Sequence, residues 1–405
     1  MGISSEQPLR VLTADDSAVM RGIMRKLFQT HSEDRLTRLP PMELCGVAQD
    51  GVECLEAVAR LKPDVLVLDL EMPRLNGLDV LDRLRAERPG LPVIMCSSYT
   101  ERGARSTLEA LARGAADYVM KPSAQRDVEM ALQSLAQQLL PKIAALAKGN
   151  RRRGEERPAK AASNGRVGEA AERANAPIEV VVIGLSTGGP SALEQMLPRL
   201  PSNFPVPVLI VQHMPKLFTG ALAERLDKCC SLRVRQACDS EAIVPGSVWL
   251  APGDAHMEVA PRKMGFVAGD EDATVRGARV KLHQQAPLNH CRPSVDYLFH
   301  SAARMYGAGA LALMMTGMGA DGLGGARAVH EAGGVVLAQD EATSAVWGMP
   351  GRVAEAGIAD AVLPLASIAG ELRQRVKGSQ TDRIVSNERA MTAVASRREG
   401  MYGVL

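Results

Sequence analysis

Residues 148–177, KGNRRRGEERPAKAASNGRVGEAAERANAP, carry one valine as their only large apolar side chain. Such a stretch cannot bury enough apolar surface to offset the ordering of its own backbone, so it reads as a linker between independently folded units. On each side of it, short runs rich in Val, Ile and Leu alternate with helical patterns, the signature of parallel sheets wrapped by helices. The first unit offers strands at 10–14, 43–48, 64–70, 91–98 and 117–121. The second offers strands at 178–184, 206–212, 247–252, 256–260, 309–316 and 334–340. The expected boundaries are a first domain over 8–140, a linker over 141–177, a second domain over 178–378, and a fraying tail over 379–405. A chain of 405 residues with 46% hydrophobic content has ample material for two cores of this kind.

Charge and cysteines narrow the class of protein. A net charge of +2 argues for no nucleic-acid or membrane partner. The one basic cluster, Arg151 to Arg153, sits in the linker, and no helix-turn-helix pattern follows the first domain. Seven cysteines, at 45, 54, 96, 229, 230, 238 and 291, are odd in number and form no CxxC, which suggests neither a disulfide framework nor a zinc site and fits a reducing, cytoplasmic setting. No apolar run approaches the roughly 18 residues of a membrane span, and no leader-like segment opens the chain, so neither export nor insertion is expected.

In open parallel sheets, ligands gather beyond the carboxyl ends of the strands. In the first unit those ends are polar in a specific way: Asp15-Asp16 follow strand one, Asp69 closes strand three, Ser97-Ser98 close strand four, and Lys121-Pro122 close strand five. Any one of these acids alone reads as a helix cap. Together, three carboxylates in one cleft call for a hard cation such as Mg²⁺, and a lysine and a hydroxyl beside them suit a transferred phosphoryl group.

LTADDS, VLVLDLEMPRLNGLDVL, VIMCSS and GAADYVMKP occur in the order of the motifs of the response-regulator receiver family, which this unit closely resembles. The resemblance implies a doubly wound, five-stranded parallel fold of two-component signalling, phosphorylated by a histidine kinase. By position, it makes Asp69 the phosphoacceptor. Asp15, Asp16 and Asp69, with the backbone carbonyl of Glu71, become the Mg²⁺ ligands. Ser97 and Lys121 become the phosphate contacts, and Tyr118 the aromatic that reorients on activation. One departure is HSEDRLTRLPPM at 31–42, which lengthens the first helix-to-strand connection away from the acids.

In the second unit, VVVIGLSTGGPSALEQ at 181–196 presents two templates. A dinucleotide fingerprint fails, because Ser186 stands where the middle glycine is needed and the next strand ends in Gln212-His213 rather than an acid. The loop does read G-x-S-x-G through Gly184, Ser186 and Gly188, a turn that exposes a serine hydroxyl. A nucleophilic serine needs a base and a group to orient it. His213, ending VLIVQH, rises on the same sheet edge, whereas His31, His256, His283, His290, His300 and His330 have no such position. LALMMTGMGADGLGG at 311–325 then offers Asp321 as the orienting acid, its alternative reading being a helix cap, and Met318 as a backbone N–H for an oxyanion.

The order Ser, His, Asp differs from that of α/β-hydrolases, so a different α/β fold with a mostly parallel sheet is expected. A competing reading is a non-enzymatic module using Gly184, Gly188, Gly189, Gly317, Gly319 and Gly322 to hold a phosphate. VIGLSTGGP, VQHMPKLFTGALAERL, VWLAPGDAHM, PSVDYLFHSAA, MTGMGADGLGG and AQDEATSAVWGMP resemble the CheB family of chemotaxis protein-glutamate methylesterases. That resemblance implies Ser186, His213 and Asp321 as catalytic residues and Met318 as the oxyanion donor. It further implies hydrolysis of γ-glutamyl methyl esters on chemoreceptors, deamidation of receptor glutamines in some members, and no cofactor for the ester chemistry.

Overall fold

The computed structural model describes residues 7–33, 39–122, 128–154, 176–262 and 277–377. The expected tail, most of the linker and the centre of the 31–42 connection lie outside the described residues.

The first domain is a five-stranded sheet of β1 (Leu9–Ala14), β2 (Met42–Ala48), β3 (Val65–Asp69), β4 (Val93–Ser97) and β5 (Asp117–Met120), in the order β2-β1-β3-β4-β5. Every pairing in it is parallel. Residues of β3 and β4 are buried throughout, as a strand covered by helices on both faces must be. The covering helices are α1 (Ala18–Glu33), α2 (Gly51–Leu61), α3 (Gly77–Glu87), α4 (Glu101–Ala112) and α5 (Val128–Gly154). Caps set their starts: Asp50 accepts from the Val52 and Glu53 N–H groups, Asn76 from Asp79, and Thr100 from Gly103. The helix α5 continues past residue 141, where a linker was expected, and contains Pro141. Its Leu139, Ile143, Leu146 and Ala147 are buried in the first domain's core, so tertiary packing carries the helix through the proline.

The second domain has a seven-stranded sheet, all of whose pairings are parallel. Its strands are β6 (Val180–Leu185), β7 (Val208–Gln212), β8 (Arg233–Gln236), β10 (Ser247–Leu250), β13 (Ala310–Met314), β14 (Val335–Gln339) and β15 (Ala361–Leu363), ordered β15-β14-β13-β6-β7-β10-β8. Helices α6 (Gly189–Met196), α7 (Lys216–Cys229), α8 (Val295–Tyr306), α9 (Leu323–Glu331) and α10 (Met349–Glu355) cover it, with a further helix over 365–377. A small sheet of β9 (Ala242–Ile243), β11 (His256–Pro261) and β12 (Ala278–His283) is antiparallel throughout.

Neighbours β13, β6 and β7 occupy the middle of the large sheet, where the chain leaves β6 for β7 on one side and returns as β13 on the other. That switch point is where an open α/β sheet forms its crevice.

The two domains meet across α4 and β5 on one side and α6 and α7 on the other. The Tyr118 ring stacks on Phe218, with centroids 4.7 Å apart and planes within 5°. Thr187 donates a 2.6 Å hydrogen bond to Asp117 Oδ2, and Ser191 donates at 2.9 Å to the Leu111 carbonyl. Lys142 of α5 pairs with the same Asp117 oxygen at 2.8 Å and donates to the Tyr118 carbonyl at 2.7 Å. Val346, from the second domain, is buried in a cluster formed by the first.

Candidate functional site

In the first domain, β1 and β3 lie side by side, so Asp15 and Asp69 end adjacent strands. Carboxylate oxygens of Asp15, Asp16 and Asp69 all lie within 4.8 Å of one another. Lys121, just beyond β5, reaches Asp69 Oδ2 at 2.7 Å and Asp15 Oδ2 at 2.9 Å. Burial pushes the Asp69 carboxyl up to about 6, and the nearby Asp15 charge adds to this while Lys121 works against it. Asp15 and Asp69 are buried and Asp16 is exposed, so the cluster forms a hard, oxygen-only donor set at the mouth of a cleft, which fits Mg²⁺ and not a thiophilic metal.

Glu71 points its carboxylate outward towards Arg102 at 3.6 Å, leaving its backbone carbonyl as the group that the sequence reading assigned to the cation. The Ser97 hydroxyl is turned to α4: it accepts from Thr107 at 2.7 Å and reaches the Gly103 carbonyl at 3.3 Å. Tyr118 is buried, and that burial holds its phenol well above the ordinary value.

In the second domain, Ser186, His213 and the 315–321 turn follow β6, β7 and β13, three neighbouring strands. The Ser186 N–H donates to the Thr316 carbonyl at 3.0 Å, and the His213 N–H to the Leu185 carbonyl at 3.2 Å, which ties the three loops together. His213 Nε2 lies 2.8 Å from Asp321 Oδ2. A carboxylate only accepts, so Nε2 carries the hydrogen and the neutral ring keeps its lone pair on Nδ1. Burial by itself would lower the His213 pKa, but the bond to Asp321 and the Cys291 contact push it up to about 9. Burial would likewise raise Asp321, and the His213 bond outweighs it, holding the carboxyl below its usual range.

Asp321 is clamped on every side. Ser294 Oγ donates to Oδ1 at 2.7 Å, Asn289 Nδ2 to the same oxygen at 2.9 Å, and the Val295 N–H to Oδ2 at 2.6 Å. Asn289, Ser294 and Val295 escaped the sequence reading because they lie in a connection with no strand-end signal, and only the fold carries that connection to β13. Gln212, which the sequence shows only as a strand end, donates from Nε2 to the Ser186 carbonyl at 2.9 Å and braces the loop that carries Ser186.

Ser186 is half-buried, and among the described residues its hydroxyl makes no hydrogen bond to His213 or to any other group. The structure thus brings His213 and Asp321 into contact and puts Ser186 on the same edge without closing the serine–histidine bond. His213 Nδ1 instead faces Cys291 Sγ at 3.5 Å. Met318 is half-buried, and among the described residues its N–H enters no hydrogen bond. Gly317 permits this close approach, since a Cβ there would lie 2.9 Å from Ser186 Cβ. Gly188 has φ of 80°, the left-handed start of α6 that a side chain would strain.

The sequence profile of the CheB methylesterase family matches residues 181–372, and that of the response regulator receiver domain matches 11–133. A protein-glutamate methylesterase/protein-glutamine glutaminase of Trichodesmium erythraeum is 39% identical over 367 residues, covering 91% of this chain and 99% of its own. A protein of the same name from a Nocardioides species is 43% identical, covering 91% of this chain and 95% of its own. The crystal structure of the Thermotoga maritima CheB methylesterase catalytic domain is 42% identical, covers 49% of this chain and 98% of its own, and superposes with a TM-score of 0.45. The chain belongs to the CheB methylesterase family, with a receiver domain preceding the methylesterase domain.

Proposed function

We propose that this chain is a phosphorylation-regulated protein-glutamate methylesterase that demethylates the γ-glutamyl methyl esters of chemotaxis receptors in the cytoplasm, with deamidation of receptor glutamines as a second activity. The observation that carries the reading is the 2.8 Å contact between His213 Nε2 and Asp321, on the strand edge that also bears Ser186. Rotation of Ser186 to His213 Nδ1 completes a relay. The imidazole takes the serine proton as Oγ attacks the ester carbonyl, and Asp321 holds the tautomer and stabilises the imidazolium. The Met318 N–H stabilises the oxyanion, methanol leaves with the proton from His213, and water then releases the glutamate from Ser186. None of these steps calls for a cofactor.

In the receiver domain, Asp15, Asp16 and Asp69 with the Glu71 carbonyl would hold Mg²⁺, which when bound neutralises the charge that builds up during phosphoryl transfer. Asp69 attacks the phosphorus donated by a chemotaxis histidine kinase. Lys121 then pairs with the new phosphoryl oxygens, and Ser97 turns from α4 to donate to them. Tyr118, which stacks on Phe218, stands three residues before Lys121, and Thr187, which bonds Asp117, directly follows Ser186, so the domain contact runs between the two sites. Phosphorylation shifts the equilibrium towards a form in which this contact is released and a receptor helix can approach Ser186.

The test is methanol release from methylated receptor by the full chain. Ser186→Ala is expected to abolish it, and a small phosphodonor with Mg²⁺ to accelerate it. Full activity in Ser186→Ala would refute the nucleophile, and equal rates with and without phosphodonor would refute the gating.

A further inference from the structure

Cys291 is absent from the proposed reaction, yet its sulfur is the closest partner of the nitrogen that the reaction needs. It sits in a tight turn where Leu288 and Cys291 exchange backbone hydrogen bonds of 3.2 and 2.9 Å, preceded by Asn289 and His290 in the left-handed region (φ of 52° and 63°). The turn is anchored on both sides, by Asn289 to Asp321 and Asp296 and by Arg292 to Asp254. The turn thus sets the Cys291 thiol against His213 Nδ1. Cys291, His213 and Asp321 bring ligand-type atoms within 4.8 Å of one another.

We propose that His213 Nδ1 and Cys291 Sγ form a binding site for a thiophilic divalent cation, Zn²⁺ being the type, and that its occupancy switches the esterase off. Zinc–nitrogen and zinc–sulfur bonds of about 2.0–2.1 and 2.3 Å at a tetrahedral angle set the two ligand atoms roughly 3.5 Å apart. The separation of Nδ1 and Sγ is 3.5 Å. A ligating histidine needs its other ring nitrogen held by an acceptor, commonly a carboxylate, and Nε2 already donates to Asp321. The soft sulfur and the imidazole select Zn²⁺ over the Mg²⁺ that suits the oxygen-only cleft of the receiver. Two protein ligands leave room for water or the Ser186 hydroxyl, and they hold the metal less tightly than the four of a closed structural site.

On binding, Cys291 gives its thiol proton to solvent and a sulfur–metal bond forms. Nδ1 gives up a proton as well whenever the ring is charged, while Nε2 keeps the hydrogen bonded to Asp321. Affinity therefore rises with pH. The inhibitory consequence rests on the reading of His213 as the base, because the metal takes the lone pair that would deprotonate Ser186; the binding itself does not.

Co²⁺ titrated into the Mg²⁺-saturated full chain reports the site by a near-ultraviolet thiolate-to-cobalt absorption band, which an oxygen-only site cannot produce. The band is expected to saturate at one equivalent, to be displaced by Zn²⁺, to vanish in Cys291→Ser and His213→Gln, and to survive in Cys229→Ser and Cys230→Ser. A band that persists in folded Cys291→Ser, or that depends on Cys229 and Cys230, overturns the proposal. Independently of any variant, Zn²⁺ should slow alkylation of Cys291 in the native protein, read by mass spectrometry of its peptide; an unchanged rate also overturns it. Reversible loss of esterase activity with Zn²⁺, at least tenfold weaker in Cys291→Ser, tests the inhibition. Failure of Ser186 as nucleophile would leave the cobalt band intact, so the two readings fail separately.

Discussion

The two sites of this molecule are built on the same plan and are assembled to different degrees. Both use residues that follow adjacent strands of a parallel sheet, at a point where the strand order reverses. In the receiver cleft, the contacts among the charged groups are already made, with Lys121 within 3 Å of both Asp69 and Asp15, while the neutral Ser97 hydroxyl is turned to α4. In the methylesterase domain only the histidine–aspartate half is made, and among the described residues the Ser186 hydroxyl remains unbonded. The difference follows from charge. Opposite charges attract at several ångströms and assemble before any substrate is present, whereas a neutral hydroxyl gains little from a base until it carries the developing charge. A strand edge therefore identifies which residues share a site, and electrostatics decides which of them meet in the resting state.

The comparison can be broken most directly at the half-assembled site. Ser186→Ala should lower kcat for methanol release by about 10⁶-fold if the triad acts as a unit, leaving the residual rate of the oxyanion donors. Asp321→Asn should cost about 10⁴-fold, because the imidazole loses both its tautomer and its countercharge. It should also move the pH profile. In the proposed reaction neutral imidazole is the base, and Asp321 favours the charged ring, so kcat/KM of the native enzyme should climb until about pH 9 and that limb should fall towards 6.5 in the variant. The same raised pKa makes the His213–Asp321 pair stabilise the fold fully below 6.5, and less and less as pH rises through about 9. A thermal-unfolding series against pH, native against Asp321→Asn, reads that difference.

At the assembled site, Asp69→Asn should abolish the acceleration by phosphodonor and Mg²⁺ while leaving the unstimulated rate in place, as measured by methanol release with and without acetyl phosphate. Thr187→Val removes the 2.6 Å hydroxyl bond to Asp117 that joins the domains. A loss of about 1 kcal/mol there should raise the unstimulated rate roughly fivefold by favouring the open form. An unchanged rate would dissociate this bond from gating. Arg105→Ala should change little, because its 3.6 Å pairing with Glu224 joins two exposed side chains across the same contact.

Much of the fold was legible in the residues. Strands such as VVVIGL and VLVLD are continuous β-branched and leucine runs, and burial on both faces leaves that mark whatever their neighbours are. The strands that escaped notice, β8, β9, β12 and β15, are short or carry Arg, Lys and Gln on half-exposed faces, where pairing and not composition holds them. Continuation of α5 through Pro141 escaped for a related reason, since its stabilisation comes from buried partners that lie far away in the chain.

The sequence by itself determined that there are two α/β domains and which polar residues close their strands, because burial and strand-end chemistry are local properties of composition and spacing. Only the tertiary structure decided who touches whom. It brought the 289–295 connection onto Asp321, set Cys291 against His213, and laid Tyr118 on Phe218 across the domain contact. Those pairings depend on loop paths and domain docking, whose energies are summed over contacts between residues tens to more than a hundred positions apart, and no window of sequence contains both partners.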